Sequence, residues 1–218
     1  MKKYFILGTD TDCGKTHVTC QLTHYLRQNN HNVLAIKPIA TGCEKIGDKW
    51  LCEDTDRLNL YNRDNIADNI FWRFKPPVSP HIAADEVGIN LSADIIAARC
   101  NKLAENTNLD YLLIEGAGGL MVPLNREETW IDFLKATQIP VILVIGMRTG
   151  CINHALLTKS VLDLNKIECK GWVANCLDLN MPALEENITT LKTKLGWPMF
   201  FRAYEKLEMR DLNLDVVF

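Results

Sequence analysis

The sequence predicts an α/β fold: a doubly wound, mostly parallel sheet with helices on both faces. Three observations carry this. Short, continuously apolar runs recur along the chain, at Tyr4–Leu7, Val33–Ile36, Tyr111–Ile114 and Val141–Ile145. Stretches with apolar residues at helical spacing separate them. Glycines, lysines and acidic groups stand directly after the apolar runs. Strands covered on both faces lose the apolar–polar alternation of a half-exposed sheet, and strands alternating with helices pair in parallel through right-handed crossovers. Ligands of such sheets bind beyond the carboxyl ends of the strands, so functional residues are sought there.

Tyr4 to Leu7 is the first strand. Lys15 to Gln28 follows as a helix whose apolar stripe is Val18, Leu22, Tyr25 and Leu26. Val33 to Ile36 is the second strand, ended by Pro38. Between 42 and 90 the Pro76-Pro77 pair, Pro80 and several Asn and Asp break the pattern, and active-site loops with one short helix near 54–60 are expected. Ser92 to Glu105 is a helix that Ser92 can cap, with Ile95, Ile96, Ala98 and Leu103 as apolar positions. Tyr111 to Ile114 is a strand running into Glu115. Pro140 launches the strand Val141 to Ile145. Asn153 to Leu164 is a helix, Gly171 to Asn175 a strand and Pro182 to Leu195 a helix. No repeat or low-complexity segment appears, and residues 1–218 are expected to form a single domain.

A chain of 218 residues buries roughly 70% of its unfolded surface, enough to fold without disulfides or metal staples. Hydrophobic residues at 47% and charged residues at 23% exclude a disordered chain. A net charge of −3 argues against a dedicated nucleic-acid or membrane-surface binder. The apolar run at Tyr4 is too short for a signal peptide, and Val141–Ile145 falls far short of the roughly 20 residues that span a bilayer. A cytoplasmic protein is expected. The eight cysteines are then expected as thiols, because that compartment is reducing, and no pair has Cys-x-x-Cys spacing.

The strongest motif is Gly8-Thr-Asp-Thr-Asp-Cys-Gly14-Lys15-Thr16, between a strand and a helix. That is the context of a phosphate-binding loop, and it makes the fold P-loop NTPase-like. Backbone N–H groups at the helix start face phosphate oxygens, Lys15 reaches the β and γ phosphates, and the Thr16 hydroxyl binds Mg²⁺. The loop is a variant, with five residues between Gly8 and Gly14 and Thr9 where the first glycine belongs. It also carries Asp10 and Asp12, which a polyphosphate repels unless a cation intervenes. Glu115, with Gly116, Ala117, Gly118 and Gly119 after it, occupies a Walker B position and can hold Mg²⁺. Lys37 at a strand end can neutralise a transferring phosphoryl group. Asp54 and Asp56 each offer a further metal carboxylate or a helix cap. Gly150-Cys-Ile-Asn153-His154 opens a helix and suits a carboxylate ligand.

Together with Lys37-Pro-Ile-Ala-Thr41-Gly42, Ser79-Pro-His81 and Gly171-Trp-Val-Ala-Asn175, these segments resemble the dethiobiotin synthetase family, from residue 4 to about 176. The resemblance implies ATP- and Mg²⁺-dependent joining of CO₂ to 7,8-diaminopelargonate, with closure of the ureido ring of dethiobiotin. A carbamate attacks the γ-phosphate, and the second amine displaces phosphate from a carbamic–phosphoric anhydride. No protein nucleophile is needed, so catalysis is positioning and electrostatics.

Carried over by motif, Lys15, Lys37 and Thr11 act on the reacting groups. Asp12, Cys13, Gly14, Lys15, Thr16 and His17 line the nucleotide, with Glu115 to Gly118 and with Asn175 and Cys176 at the base. Thr16, Glu115 and either Asp54 or Asp56 hold the metal: ungapped register favours Asp54, the local pattern around Leu58 favours Asp56. Lys37 and Thr41 hold the substrate. Gly150, Cys151, Ile152 and Asn153 reach a neighbouring subunit's substrate carboxylate, which implies a homodimer. The family's adenine-side segment near the C-terminus has no close match at Phe201-Arg-Ala-Tyr204, which leaves the nucleotide preference open. Two alternatives share the loop. A related amide-forming ligase would carry a glutaminase partner domain. A partitioning-type switch ATPase would carry a signature Lys where this chain has Asp10, and its membrane-binding relatives end in a basic helix, unlike the stretch Asp211 to Phe218.

Overall fold

The computed structural model describes residues 1–62, 70–105, 108–176, 178, 180–205 and 208–214. The last four residues and residues 63–69 of the expected active-site loops lie outside these. In chain order the elements are β1 (Lys2–Gly8), α1 (Lys15–Gln28), β2 (Val33–Ile36), β3 (Ile39–Ala40), β4 (Glu44–Ile46), β5 (Lys49–Leu51), α2 (Glu53–Tyr61), β6 (Trp72–Arg73) and α3 (Pro80–Glu86). Then follow α4 (Ala93–Glu105), β7 (Tyr111–Gly119), α5 (Trp130–Thr137), β8 (Val141–Gly146), α6 (Cys151–Leu164), β9 (Cys169–Asn175), α7 (Leu184–Leu195), β10 (Met199–Ala203) and β11 (Met209–Arg210).

Seven strands form the main sheet in the order β11-β10-β9-β8-β1-β7-β2. All neighbours are parallel except β11, which runs antiparallel to β10 at the edge. Alternate residues of the central strands enter opposite cores. Phe5 and Leu7 of β1, with Val141, Leu143 and Ile145 of β8, join Ile96 of α4, Phe133 of α5, Ala155 of α6 and Ile188 of α7. Tyr4, Ile6, Ile142 and Val144 face the other way, onto Val18, Leu22 and Leu26 of α1. That two-sided burial is why the strands read as unbroken apolar runs, each fully buried large side chain contributing about 1.5–3 kcal/mol. The chain leaves β1 for the β7–β2 side and later returns to the β8 side, so a crevice opens at the carboxyl end of β1.

The bounds of α1 and β2 match the sequence reading. Several elements escape it. The eight-residue α5 spans only about two turns, and Thr129 and Asp132 close a capping box at its start. The strand β10 lies where only an atypical adenine-side segment is expected. The irregular stretch holds α3, the β4–β5 pair and β6 besides its one expected helix, α2, and β6 pairs with β3 just upstream of it. The final helix starts at Leu184, two residues after Pro182.

The cysteine reading is corrected. Cys43 and Cys52 form a disulfide, their Cα atoms 4.5 Å apart, while the other six remain thiols. Sequence spacing gives no hint of the pairing, because the β4–β5 hairpin brings its ends together. Among the described residues, no helix is long and apolar enough to cross a membrane.

Candidate active site

Gly14 takes a left-handed conformation, φ 88°, and a Cβ there would run into the Asn175 amide. It is the N-cap of α1 and supplies no side-chain cap, so the first N–H groups of the helix point outward, available to an anion. Beyond β1 and α1 lies a cavity of about 1190 Å³. Its walls include Thr11, Asp12, Gly14, Lys15, Thr16 and His17 from the loop, Lys37 and Thr41 after β2, Asp54 and Arg57 from α2, and Glu115, Ala117 and Gly118 from β7.

Four polar groups converge on its floor. The Thr16 hydroxyl lies 2.6 Å from Glu115 Oε1 and 2.9 Å from Asp54 Oδ1. It carries one proton and can donate to one of them at a time. The Lys37 ammonium donates to Glu115 Oε1 at 3.0 Å and pairs with Asp54. Glu115 is fully buried, and its second oxygen, Oε2, has no partner among the described residues. Burial alone would lower the pKa of Lys37; the Glu115 and Asp54 carboxylates outweigh it and hold that pKa above its usual value. Burial would raise the pKa of Asp54; Lys37, the Thr16 hydroxyl and Lys15 hold it below. This crowd of carboxylate and hydroxyl oxygens, one of them buried and unpartnered among the described residues, has the oxygen chemistry that could hold a hard divalent cation such as Mg²⁺. In the protein as it stands, the Lys37 ammonium supplies the positive charge between the two carboxylates.

The two acidic candidates on α2 separate. Asp54 joins the floor, whereas Asp56 Oδ2 accepts the backbone N–H of Cys52 at 3.1 Å and serves the helix start. The acidic loop is also resolved. Arg148, just after β8, donates to Asp10 Oδ2 at 2.7 Å, and Lys15 Nζ donates to the Asp10 carbonyl at 3.0 Å. Arg148 escapes the sequence reading, and its one signal is its place after a strand end. Ser79 Oγ and His81 Nδ1, 2.9 Å apart, tie together a turn that walls the cavity.

Other expected residues sit elsewhere. Asn175 is buried under the loop, its Nδ2 donating to the Cys13 carbonyl at 2.8 Å, while its Oδ1 has no partner among the described residues. Cys13 is buried, with its sulfur 4.0 Å from Lys15 Nζ. Cys176 is buried, with its N–H donating to Ala203 O at 2.8 Å. Gly116 abuts the Phe5 ring. None of these four lines the cavity. His17 Nε2 lies 2.6 Å from the Tyr204 carbonyl, and Gln21 Nε2 reaches the same oxygen at 3.0 Å. The segment after β10 is thus latched to α1 beside the cavity. Burial and the nearby Arg57 charge lower the pKa of His17, although its backbone hydrogen bond opposes them.

Gly150, Cys151, Ile152 and Asn153 also lie away from the cavity. Gly150 is the N-cap of α6, Cys151 is buried beneath it and Asn153 is exposed. Further along α6, Leu157 and Leu164 are 59% and 81% exposed, and Met121, which shares a surface depression with Leu157, is 59% exposed.

A family model described as an AAA domain matches residues 2–201. The chain is 52% identical over 217 residues to the ATP-dependent dethiobiotin synthetase BioD of Legionella pneumophila (strain Paris), covering 99% of each chain. It is 39% identical over 203 residues to the protein of the same name from Pseudoalteromonas translucida, covering 91% of this chain and 88% of that one. Among solved structures, the signal recognition particle receptor FtsY from Elizabethkingia anophelis aligns with a TM-score of 0.62 at 15% identity, over 97% of this chain and 60% of that one. A ParA family ATPase from Chlorobium tepidum TLS aligns with a TM-score of 0.57 at 12% identity, over 94% and 84%. At such identities the two structures share the fold alone.

Proposed function

This chain belongs to the ATP-dependent dethiobiotin synthetase family, and from that premise we propose that it joins CO₂ to 7,8-diaminopelargonate and closes the ureido ring, giving dethiobiotin, ADP and phosphate. It is an ATP-using ligase of biotin biosynthesis that acts on small molecules. The observation that carries the finer reading is the convergence of Thr16, Lys37, Asp54 and Glu115 on the floor of a cavity that opens at the phosphate loop. Residues 1–218 act as a single catalytic domain.

Glu115, Thr16 and Asp54 would hold Mg²⁺, which when bound supplies charge opposite the phosphate oxygens. Lys15 and the open N-terminus of α1 receive the β and γ phosphates. Lys37 follows β2 at the edge of the crevice and, once a metal neutralises the two carboxylates, its ammonium is available to the transferring phosphoryl group. Thr11 and Thr41 stand on the cavity wall, where hydroxyls can orient the diamine and its carbamate. The carbamate oxygen bonds to the γ-phosphorus as the β–γ bridging oxygen leaves with ADP. The second amine then attacks the carbamate carbon, phosphate leaves, and that amine gives up its proton. Asn175 braces the loop from beneath, through the Cys13 carbonyl.

The exposed apolar face of α6 supports a homodimer in which Gly150–Asn153 meet the neighbouring subunit's substrate. The absence of a membrane-spanning helix among the described residues agrees with a cytoplasmic enzyme. Oxygen tracing tests the chemistry. With ¹⁸O-labelled bicarbonate, one labelled oxygen should enter each phosphate released, and unlabelled phosphate would exclude carbamate attack on the phosphoryl group.

A further inference from the structure

The Cys43–Cys52 bridge plays no part in the chemistry above, yet one end, Cys52, lines the cavity and the other directly follows residues that do. Cys43 follows Thr41 and Gly42, which wall the cavity. Its N–H donates to Phe74 O at 2.9 Å, and that of Gly42 donates to Pro76 O at 3.2 Å. Cys52 lines the cavity itself and is the N-cap of α2. Its carbonyl accepts the Asp56 N–H at 2.9 Å and the Thr55 hydroxyl at 2.8 Å. Two residues further on, Asp54 meets Thr16 and Lys37.

The bridge therefore ties the first turn of the helix that presents Asp54 to the segment that presents Thr41. The other ties are noncovalent. The β4–β5 hairpin between the two cysteines is exposed, and the buried cluster there is Ala40, Cys43, Cys52 and Ile70, with Trp50 packed against it. Without the covalent link, that small cluster would hold the start of α2 together with the Asp54 contacts to Thr16 and Lys37 and the buried Thr55 and Leu58.

We propose that Cys43 and Cys52 form a reversible dithiol–disulfide site whose oxidised state positions Asp54 and the Thr41 segment for the metal–nucleotide complex. The proposal rests on the reading of Asp54 as a metal carboxylate. A thiolate of an external dithiol attacks one bridge sulfur, and the other leaves as a thiolate. The reagent's second thiol then breaks the mixed disulfide. Two electrons and two protons pass to the protein, and the dithiol departs as a cyclic disulfide. The reverse reaction takes a disulfide oxidant such as oxidised glutathione. Because Cys52 faces the cavity, bound nucleotide shields that sulfur. Burial pushes the thiols of Cys20, Cys100 and Cys169 up to about 12 and that of Cys176 up to about 11, which slows their exchange with such reagents.

The test uses the whole protein, equilibrated with oxidised glutathione or with dithiothreitol. Thiol alkylation and mass spectrometry of the peptides holding Cys43 and Cys52 report the bridge directly. Calorimetry then gives the Kd for MgADP. The oxidised protein should bind MgADP about tenfold more tightly, the gain expected of a preorganised site, and MgADP should slow reduction. The double variant Cys43→Ser/Cys52→Ser should bind like the reduced wild type and ignore dithiothreitol. Chemical reduction of the wild type keeps the test decisive if that variant folds poorly. Melting temperature alone does not decide, since losing any bridge lowers it. Equal Kd values with the bridge shown open and closed would overturn the proposal alone, as would two thiols persisting after oxidation. No MgADP binding in either state would overturn it together with the nucleotide-site reading.

Discussion

Replacing Lys37 with Met removes the ammonium from the floor of the site and keeps the aliphatic stem. Lys37 is 7% exposed and Glu115 is 0% exposed, and their charged atoms are 3.0 Å apart. Once the ammonium is gone, Glu115 keeps only a hydroxyl proton that it shares with Asp54. Breaking a buried pair by deleting one partner costs about 3–5 kcal/mol. At about 2–4 °C per kcal/mol for a domain of this length, the melting temperature should fall by about 6–20 °C. The loss belongs to the stranded carboxylate, so adding Glu115→Gln to the variant should restore most of it, a coupling of about 2–3 kcal/mol. The assay is thermal and urea unfolding of the four proteins of the cycle, without nucleotide. A Lys37→Met protein within about 2 °C of wild type, or a cycle that closes additively, would refute the buried-charge argument. In turnover, Lys37→Met should lower kcat by about 10²–10³, the effect of deleting one transition-state donor, with a much smaller change in the KM for ATP.

The lowered pKa of His17 means that the folded protein disfavours the imidazolium. The contribution of His17 is therefore present above the unfolded pKa near 6.5 and is lost as pH falls toward the folded value, by up to about 1.4 kcal/mol per pH unit. Urea midpoints of wild type should drop below those of His17→Gln as pH falls from 7 to 5, and parallel curves would contradict this. Asp54→Asn should raise the Mg²⁺ concentration for half-maximal rate at least about tenfold, while Asp56→Asn should leave it unchanged and cost about 0.5–2 kcal/mol of stability through the helix start. The reverse pattern in Mg²⁺ titrations would exchange the two roles. Leu157→Glu on the exposed face of α6 should convert a dimer to a monomer by light scattering, and a dimer that survives it would place the interface elsewhere.

The sheet was readable because its strands are buried on both sides. Runs such as Val141–Ile145 have no exposed face to interrupt them, and the helix Lys15–Gln28 has glycine and polar residues at both ends. Thr16, Lys37 and Glu115 were readable for a related reason: Lys37 directly follows β2, Thr16 opens the helix after β1 and its loop, and Glu115 stands in β7 where it passes the end of β1, so the parallel topology gathers them at one rim. The choice between Asp54 and Asp56 was not readable, since both stand in the first turn of one helix and rotation about its axis decides which faces the crevice. Nor was the Cys43–Cys52 bridge, which depends on a hairpin with three-residue strands. Asn175 is a similar case. Its position at a strand end marks it, but only the packing of Gly14 against its amide reveals that it braces the loop.

The most direct test of the account is phosphate release from MgATP, measured with and without 7,8-diaminopelargonate and bicarbonate and set against dethiobiotin formed. The account predicts release that needs both and matches the product one to one. ATP hydrolysis indifferent to the diamine, with no dethiobiotin formed, would contradict it.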